Sequence, residues 1–294
     1  LGGIAVLSFF AISGFLITQS FVRSSLQSYA IKRAARIFPA LIACSFVMVY
    51  VVGGLFNKEG PVAFAGSFEA LSQFLQISAF GRANIDGVTQ GFIFSESLNG
   101  SLWTLKFEFG CYVLVAIALS LVPRRVVPLL ALAGLCVVNM ISASSTHPLA
   151  GKIAIYSSVC LAFFVGSTLY YYQSLIGSLS SRVTTAAVGV VFIIASTTGL
   201  LPLALSTIGF SLLTLAVGTI VADKVIRSRF DISYGLYLYA FPVQQILINC
   251  THLGFYQSMI AAILVTALLA AVSWICIEKP ALKYAHSFKR PSKA

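Results

Sequence analysis

The amino-acid sequence predicts an all-α, polytopic transmembrane helical bundle of about nine visible spans, and three observations predict it. Only 9% of the 294 residues are charged while 59% are hydrophobic, against roughly 25% charged in a soluble domain. Apolar runs close to the ~20 residues that a helix needs to cross a bilayer recur along the chain. Within those runs Val, Leu, Ile, Ala and Phe follow one another without alternation, which is unlike the short alternating strands of a membrane barrel.

Spans are expected to begin near Ile4, Ile37, Ser101, Val126, Ile153, Val183, Leu203, Ile232 and Tyr256. The first contains Phe9-Phe-Ala-Ile-Ser-Gly-Phe15, and small residues such as Ser13 and Gly14 let helices approach closely. That reading is preferred to a Ser13 nucleophile, for which no adjacent base is visible. The second span follows Lys32-Arg-Ala-Ala-Arg36, with Pro39 at an early helix position. Lys32 and Arg36 stand four apart and Arg33 and Arg36 three apart, so one helical turn can converge on a multiply charged anion such as a phosphorylated cytosolic donor. An anchor beside anionic lipid head groups is the alternative. The longest polar interruption runs from Asn57 to Gly100, with Glu59, Glu69, Asp86, Glu96 and an apolar-periodic stretch from Phe68 to Phe80. It is read as a cap on the bundle or, preferably, as a cover over a substrate cleft, since loops of this length are usually functional or disordered.

The third span carries an acid. In Ser101-Leu-Trp-Thr-Leu-Lys-Phe-Glu108-Phe-Gly-Cys-Tyr112, the residues Ser101, Thr104, Glu108 and Tyr112 recur at i, i+3 and i+4 and form one polar stripe. At 1.5 Å per residue Glu108 lies about 10 Å inside the helix, where a charge costs about 2.5–3.5 kcal/mol on insertion scales. It is therefore a candidate to accept or donate a proton; a structural carboxylate paired with Lys106 or a neighbouring helix is the other reading. The next four spans are read from apolar length alone. The span near Ile232 holds three tyrosines, two glutamines and Pro242, which frees a backbone carbonyl. There Tyr234 and Tyr237 lie on nearly one face with Gln244, placed either to hydrogen-bond a hydroxylated ligand or to anchor the helix at an interface. The last span, near Tyr256, leads into a basic tail.

If Leu1 starts outside, 15 of the 19 Lys and Arg residues fall in the inner loops and flanks and only Lys58, Arg82 and Lys152 in the outer ones. The positive-inside rule then places the basic face and the C-terminus in the cytoplasm. The net charge of +11 does not imply nucleic acid, because no water-exposed domain carries it. The six cysteines fall in or at the ends of spans with no CxxC spacing, so neither a disulfide framework nor a metal site is expected. His147, His252 and His286 are peripheral and have no local partner that would make a base. No GxxxxGK[ST] loop or HExxH motif is present, and no bound cofactor is expected. Residues 1–294 read as a single domain. The start at Leu1, apolar and without a basic flank, does not read as a signal peptide; it reads as a chain with its first segment missing.

The order of these motifs carries a resemblance. Phe9-Phe-Ala-Ile-Ser-Gly-Phe15, Lys32-Arg-Ala-Ala-Arg36-Ile-Phe-Pro39, Ser101-Leu-Trp-Thr-Leu-Lys-Phe-Glu108, Ser233-Tyr-Gly-Leu-Tyr-Leu-Tyr239 with Phe241-Pro242, and Ile277-Glu-Lys-Pro280 together resemble the acyltransferase 3 family of membrane proteins over nearly the whole chain. The resemblance implies about ten spans and an enzyme that moves an acyl group, often acetyl, from cytosolic acyl-CoA to a carbohydrate or envelope glycan displayed outside, in a bacterial inner membrane. It implies that Lys32, Arg33 and Arg36 lie near the phosphates of the donor. It puts Ser13, Gly14, Phe15, Trp103, Tyr112, Tyr234, Tyr237 and Gln244 around a central cavity, with Glu108 in a catalytic role beside the reacting group. The helix that bears the family's Arg and catalytic His precedes the segment matching Leu1, so that His is expected upstream. Many relatives have a histidine in the tyrosine-rich motif where this chain has Ala240.

The leading expectation is thus a membrane O-acyltransferase acting on an extracytoplasmic glycan such as an exopolysaccharide or lipopolysaccharide. The alternatives are a glycan transporter or exporter, which inverted repeats with interrupted helices would favour, and a non-catalytic membrane partner of a glycan synthesis complex. No such repeat is visible.

Overall fold

The computed structural model describes residues 2–56, 60–83, 85, 87–122, 125–220 and 230–287, apart from the side chain of His286. Lys58, Glu59, Asp86, Arg124, Lys224, Arg227, Arg229, Lys289, Arg290 and Lys293 lie outside the described residues. Among the described residues the structure is helical and contains no strand. Helices stand at all nine expected positions, and seven are long and apolar enough to cross a membrane. The two that fall short do so for different reasons. Leu203–Gly218 has only 16 residues, and Ser233–Cys250 carries the tyrosines, glutamines and asparagine that lower its hydropathy.

The chain divides into two compact units, residues 1–26 with 107–224 and residues 27–106 with 225–294. In the first unit α1 (Gly2–Val22) packs on α8 (Ala150–Tyr171). A Cβ on Gly14 would stand 1.8 Å from the Phe163 carbonyl oxygen, and one on Gly166 would stand 1.9 Å from that of Ala11. Each helix therefore presents a glycine to the other's backbone, which is the close approach expected of the small residues in the first span. Thr18 Oγ1 donates to Ser167 Oγ at 2.7 Å across the same seam. Helices α9 (Leu179–Thr197) and α10 (Leu203–Gly218) repeat the device with Gly189 facing Gly209. Helix α7 (Val126–Ser144) is tied to α8 by buried Asn139, whose Nδ2 donates to Ala154 O, Ser157 Oγ and Ser158 Oγ at 2.8–2.9 Å. The same unit holds most of α6 (Leu105–Leu121).

In the second unit α2 (Leu26–Phe46) continues through a π-helical stretch, Val47–Gly53, into α3 (Gly54–Phe56) as one 31-residue rod. The helix starts 11 residues before Ile37, so Pro39 sits inside it and not near its beginning. The long interruption is partly helical: α4 (Pro61–Ala65) and α5 (Phe68–Ser78), the latter capped by Ser67 Oγ accepting from Ala70 N. A 3-10 turn, Gly100–Thr104, leads into α6. Helix α11 (Ser233–Cys250) packs against α12 (Phe255–Ser273), and a Cβ on Gly235 would meet the Ala270 backbone at 2.8 Å. Helix α12 passes through a π turn, Trp274–Glu278, into α13 (Lys279–Ser287).

Apolar side chains cover much of the outside. Leu130 and Ile141 on α7, Val183 and Ile194 on α9, and Ile263 and Leu268 on α12 are exposed. Water would penalise such a surface and lipid does not, in keeping with integral membrane placement.

Candidate functional site

Glu108 lies in the first turn of α6 and is only 6% exposed. Its neighbours in the first unit are hydroxyls. Tyr112, one turn on, donates to Glu108 Oε1, and Ser13 Oγ of α1 donates to the same oxygen at 3.3 Å. Ser13 Oγ also lies 3.3 Å from Tyr112 OH, closing a triangle of one carboxyl and two hydroxyl groups. The local sequence explains it: Tyr112 reaches Glu108 because i and i+4 share a helix face, and Ser13 arrives because its neighbour Gly14 lets α1 close on α8. The Tyr112 ring sits 6.3 Å from that of Phe163, and Phe15 makes an edge contact with Tyr170 at 5.7 Å. A carboxylate held by two donors inside an apolar unit can accept a proton or orient a base, and its desolvation makes either charge-assisted interaction strong.

The upper half of the expected stripe has other partners. Ser101 and Thr104 belong to the 3-10 turn, where residues three apart eclipse, and both meet Tyr237 of the second unit. Tyr237 OH donates to Ser101 O and lies 2.9 Å from Thr104 Oγ1. The spacing thus holds as helical register, while its members divide between two sets of contacts. Trp103 on the same turn is 38% exposed.

Arg36 is held by acids in the second unit. Its Nη2 lies 2.9 Å from Asp231 Oδ2 and its Nη1 3.4 Å from Glu278 Oε2, while Nη2 also donates to Ser233 Oγ at 3.3 Å. The guanidinium carbon stands 5.6 Å from the Tyr234 ring centroid, within cation–π range. Glu278 is 1% exposed and accepts a further bond from Ser273 Oγ at 3.1 Å. Of the three bases singled out by their spacing, Arg36 is thus committed to a cluster that joins α2, the start of α11 and the π turn after α12. Lys32 and Arg33 stand one turn earlier on α2, and Arg33 Nε is shielded from solvent without a hydrogen-bond partner among the described residues.

Tyr234 is buried and donates to Ile37 O at 3.1 Å. The carbonyl freed by Pro242, that of Leu238, is taken up by Asn99 Nδ2 at 2.8 Å and by Cys44 Sγ at 3.6 Å. Gln244 does not share the buried environment of Tyr234: it is exposed and lines a cavity of about 200 Å³ with Ile93, Phe94 and Phe241. Its neighbour Gln245 is the buried one, donating to Phe94 O at 2.7 Å and Ser97 O at 3.1 Å. Asn249 completes this clasp by accepting from Ile93 N at 2.8 Å.

Reading along the chain missed Asp231, Glu278, Asn99 and Gln245. Glu278 carried a signal, an acid at the end of an apolar run; the others sit among ordinary polar residues. Among the described residues no group of His, Cys, Asp and Glu could hold a metal ion.

A family model described as "Acyltransferase domain", that of the acyltransferase 3 family, matches residues 1–278. The chain is 34% identical to an O-acetyl transferase of Shigella phage Sf6, over 95% of this chain and 84% of that protein. It is 29% identical to Nodulation protein 10 of Rhizobium leguminosarum bv. viciae, over 96% of this chain and 82% of that protein. No solved structure matches the chain.

Proposed function

This chain belongs to the acyltransferase 3 family and is a membrane acyltransferase, and from that premise we propose that it moves an acyl group, acetyl foremost, from cytosolic acyl-CoA to a hydroxyl of an extracytoplasmic carbohydrate. An exopolysaccharide or a lipopolysaccharide is the class of acceptor. The observation that carries the reading is the buried Glu108 bonded by Ser13 and Tyr112 in a chain related to an O-acetyl transferase.

In O-acyl transfer the acceptor oxygen bonds to the thioester carbonyl carbon, the C–S bond breaks, and the proton of the hydroxyl must be removed as the thiol leaves protonated. Glu108 serves that proton, taking it up itself or orienting the base that does. The two hydroxyls that bond one carboxylate oxygen fix its direction. Lys32 and Arg33 hold donor phosphates. Arg36, held by Asp231 and Glu278, fixes the position of the turn that carries them. An inner-membrane site with a cytoplasmic C-terminus gives the donor and the acceptor opposite sides from which to approach.

Glu108→Gln in the full-length protein tests this. Transfer is expected to fall by ~100-fold or more, the range that general acid–base groups supply, with membrane insertion unchanged. Undiminished acylation by the variant sinks the assignment of Glu108. Mass spectrometry of surface glycans from a strain lacking the protein tests the acceptor class: one acyl ester is expected to disappear, and an unchanged ester profile refutes it.

A further inference from the structure

Helix α5 has three sides. At 3.6 residues per turn, Ala70, Gln73, Phe74 and Ile77 face inward: Ala70, Gln73 and Ile77 are buried, and the Phe74 ring lies 5.8 Å from that of Tyr50 in the π-helical stretch after α2. Phe68, Leu71 and Leu75 fall within an arc of about 60° on a second side and are 84%, 45% and 57% exposed. Glu69, Ser72 and Gln76 fill a third side, centred about 100° from the second, and are exposed as well. An exposed helix with an apolar flank and a separate polar flank is built for a boundary between two solvents.

We propose that α5 lies along the membrane–water interface, with Phe68, Leu71 and Leu75 set into the lipid at the head-group boundary and Glu69, Ser72 and Gln76 turned to water. The occupant of the apolar flank is bilayer lipid. Continuity of surface supports this choice: the rod against which α5 packs shows lipid its own exposed Phe46, Val51 and Leu55, and Val62 on α4, between that rod and α5, is exposed too. The segment 60–80 is then a fixed shelf moored in the bilayer. That bears on the expected cover over a substrate cleft, because a moored helix guides a ligand along the membrane surface and does not swing over it. The inference does not depend on the reaction proposed above.

The test is the full chain, its six cysteines replaced by alanine, carrying one nitroxide-labelled cysteine at position 68, 71, 75, 72 or 76 and reconstituted in phosphatidylethanolamine–phosphatidylglycerol vesicles. Collisions with oxygen, which partitions into lipid, are compared with collisions with a water-soluble nickel chelate. A several-fold higher oxygen-to-nickel ratio is expected at 68, 71 and 75 than at 72 and 76. A second measurement needs no cysteine-free background: a benzophenone amino acid at 68 or 75 in the native chain, irradiated in the same vesicles, is expected to give lipid adducts. Equal nickel exposure at all five positions overturns the proposal in favour of a water-facing cover. Adducts to protein in place of lipid overturn it in favour of a partner chain or a second copy.

Discussion

Replacing Gly14 by alanine puts a Cβ 1.8 Å from the Phe163 carbonyl oxygen and 2.7 Å from its carbon. Contacts under 3.0 Å are essentially never adopted by real Cβ atoms, so α1 and α8 must part by about 1.2 Å, and no side-chain rotation can relieve a clash with backbone. Overpacking costs ~1–3 kcal/mol in tightly packed interiors. The expectation for Gly14→Ala is the top of that range, ~3 kcal/mol, or a factor of over 100 in the ratio of folded to unfolded protein. Gly166→Ala, whose Cβ would stand 1.9 Å from Ala11 O, should cost as much. The same displacement pulls Ser13 away from Glu108 and Thr18 away from Ser167, so activity should fall with stability. Gly110 and Gly134 are the controls: each is in a helix with nothing within 4 Å of the added atom, and alanine there should be neutral or stabilising by up to ~1 kcal/mol. Unfolding by graded SDS in mixed micelles reads all four. A Gly14→Ala protein no less stable than Gly134→Ala would refute the packing argument, and with it the account of how Ser13 comes to Glu108.

Two further expectations concern buried polar groups of the second unit. Asn99→Ala removes a donor from the Leu238 carbonyl and should cost ~1–3 kcal/mol, the penalty for a poorly satisfied buried acceptor; Pro242→Ala restores a backbone N–H to that carbonyl, so the loss should shrink in the double variant, and strict additivity in the stability cycle would refute the link. Arg36→Ala leaves Glu278 buried without its cation and should destabilise by ~3–5 kcal/mol, whereas Asp231→Asn, at the half-exposed end of the cluster, should cost under ~1 kcal/mol; equal thermal shifts in detergent would show that the cluster is not organised around Glu278.

What can be read along the chain and what cannot divide on a physical line. Periodicity states which residues share a face, and on that basis Glu108, Tyr112 and the Lys32–Arg36 turn are legible from spacing alone. It does not state what a face meets. Ser13 lies 95 positions from Glu108, and Asp231 and Glu278 lie 195 and 242 positions from Arg36, so none of these pairings leaves a trace in local spacing. The run of bases around Arg36 has the pattern of three charges awaiting one anion; the fold supplies two carboxylates to one of them, Arg36.

Hydropathy has the same blind spot. It locates nine helices, yet α11 falls below the apolarity of a spanning helix because of residues whose cost in lipid is met inside the fold. Tyr234 bonds Ile37 O, Tyr237 bonds Ser101 O, Gln245 bonds the carbonyls of Phe94 and Ser97, and Asn99 takes the carbonyl left by Pro242. Tyr234, Tyr237, Gln245 and Asn249, which weaken the apolar signal of α11, are ties to neighbouring segments, because inside a bilayer a polar group without a partner costs several kcal/mol; Gln244, which is exposed, is the exception. It is at α11, cross-tied through its buried tyrosines and Gln245, and at the Glu108 turn of α6 that this chain keeps buried polar groups available for chemistry.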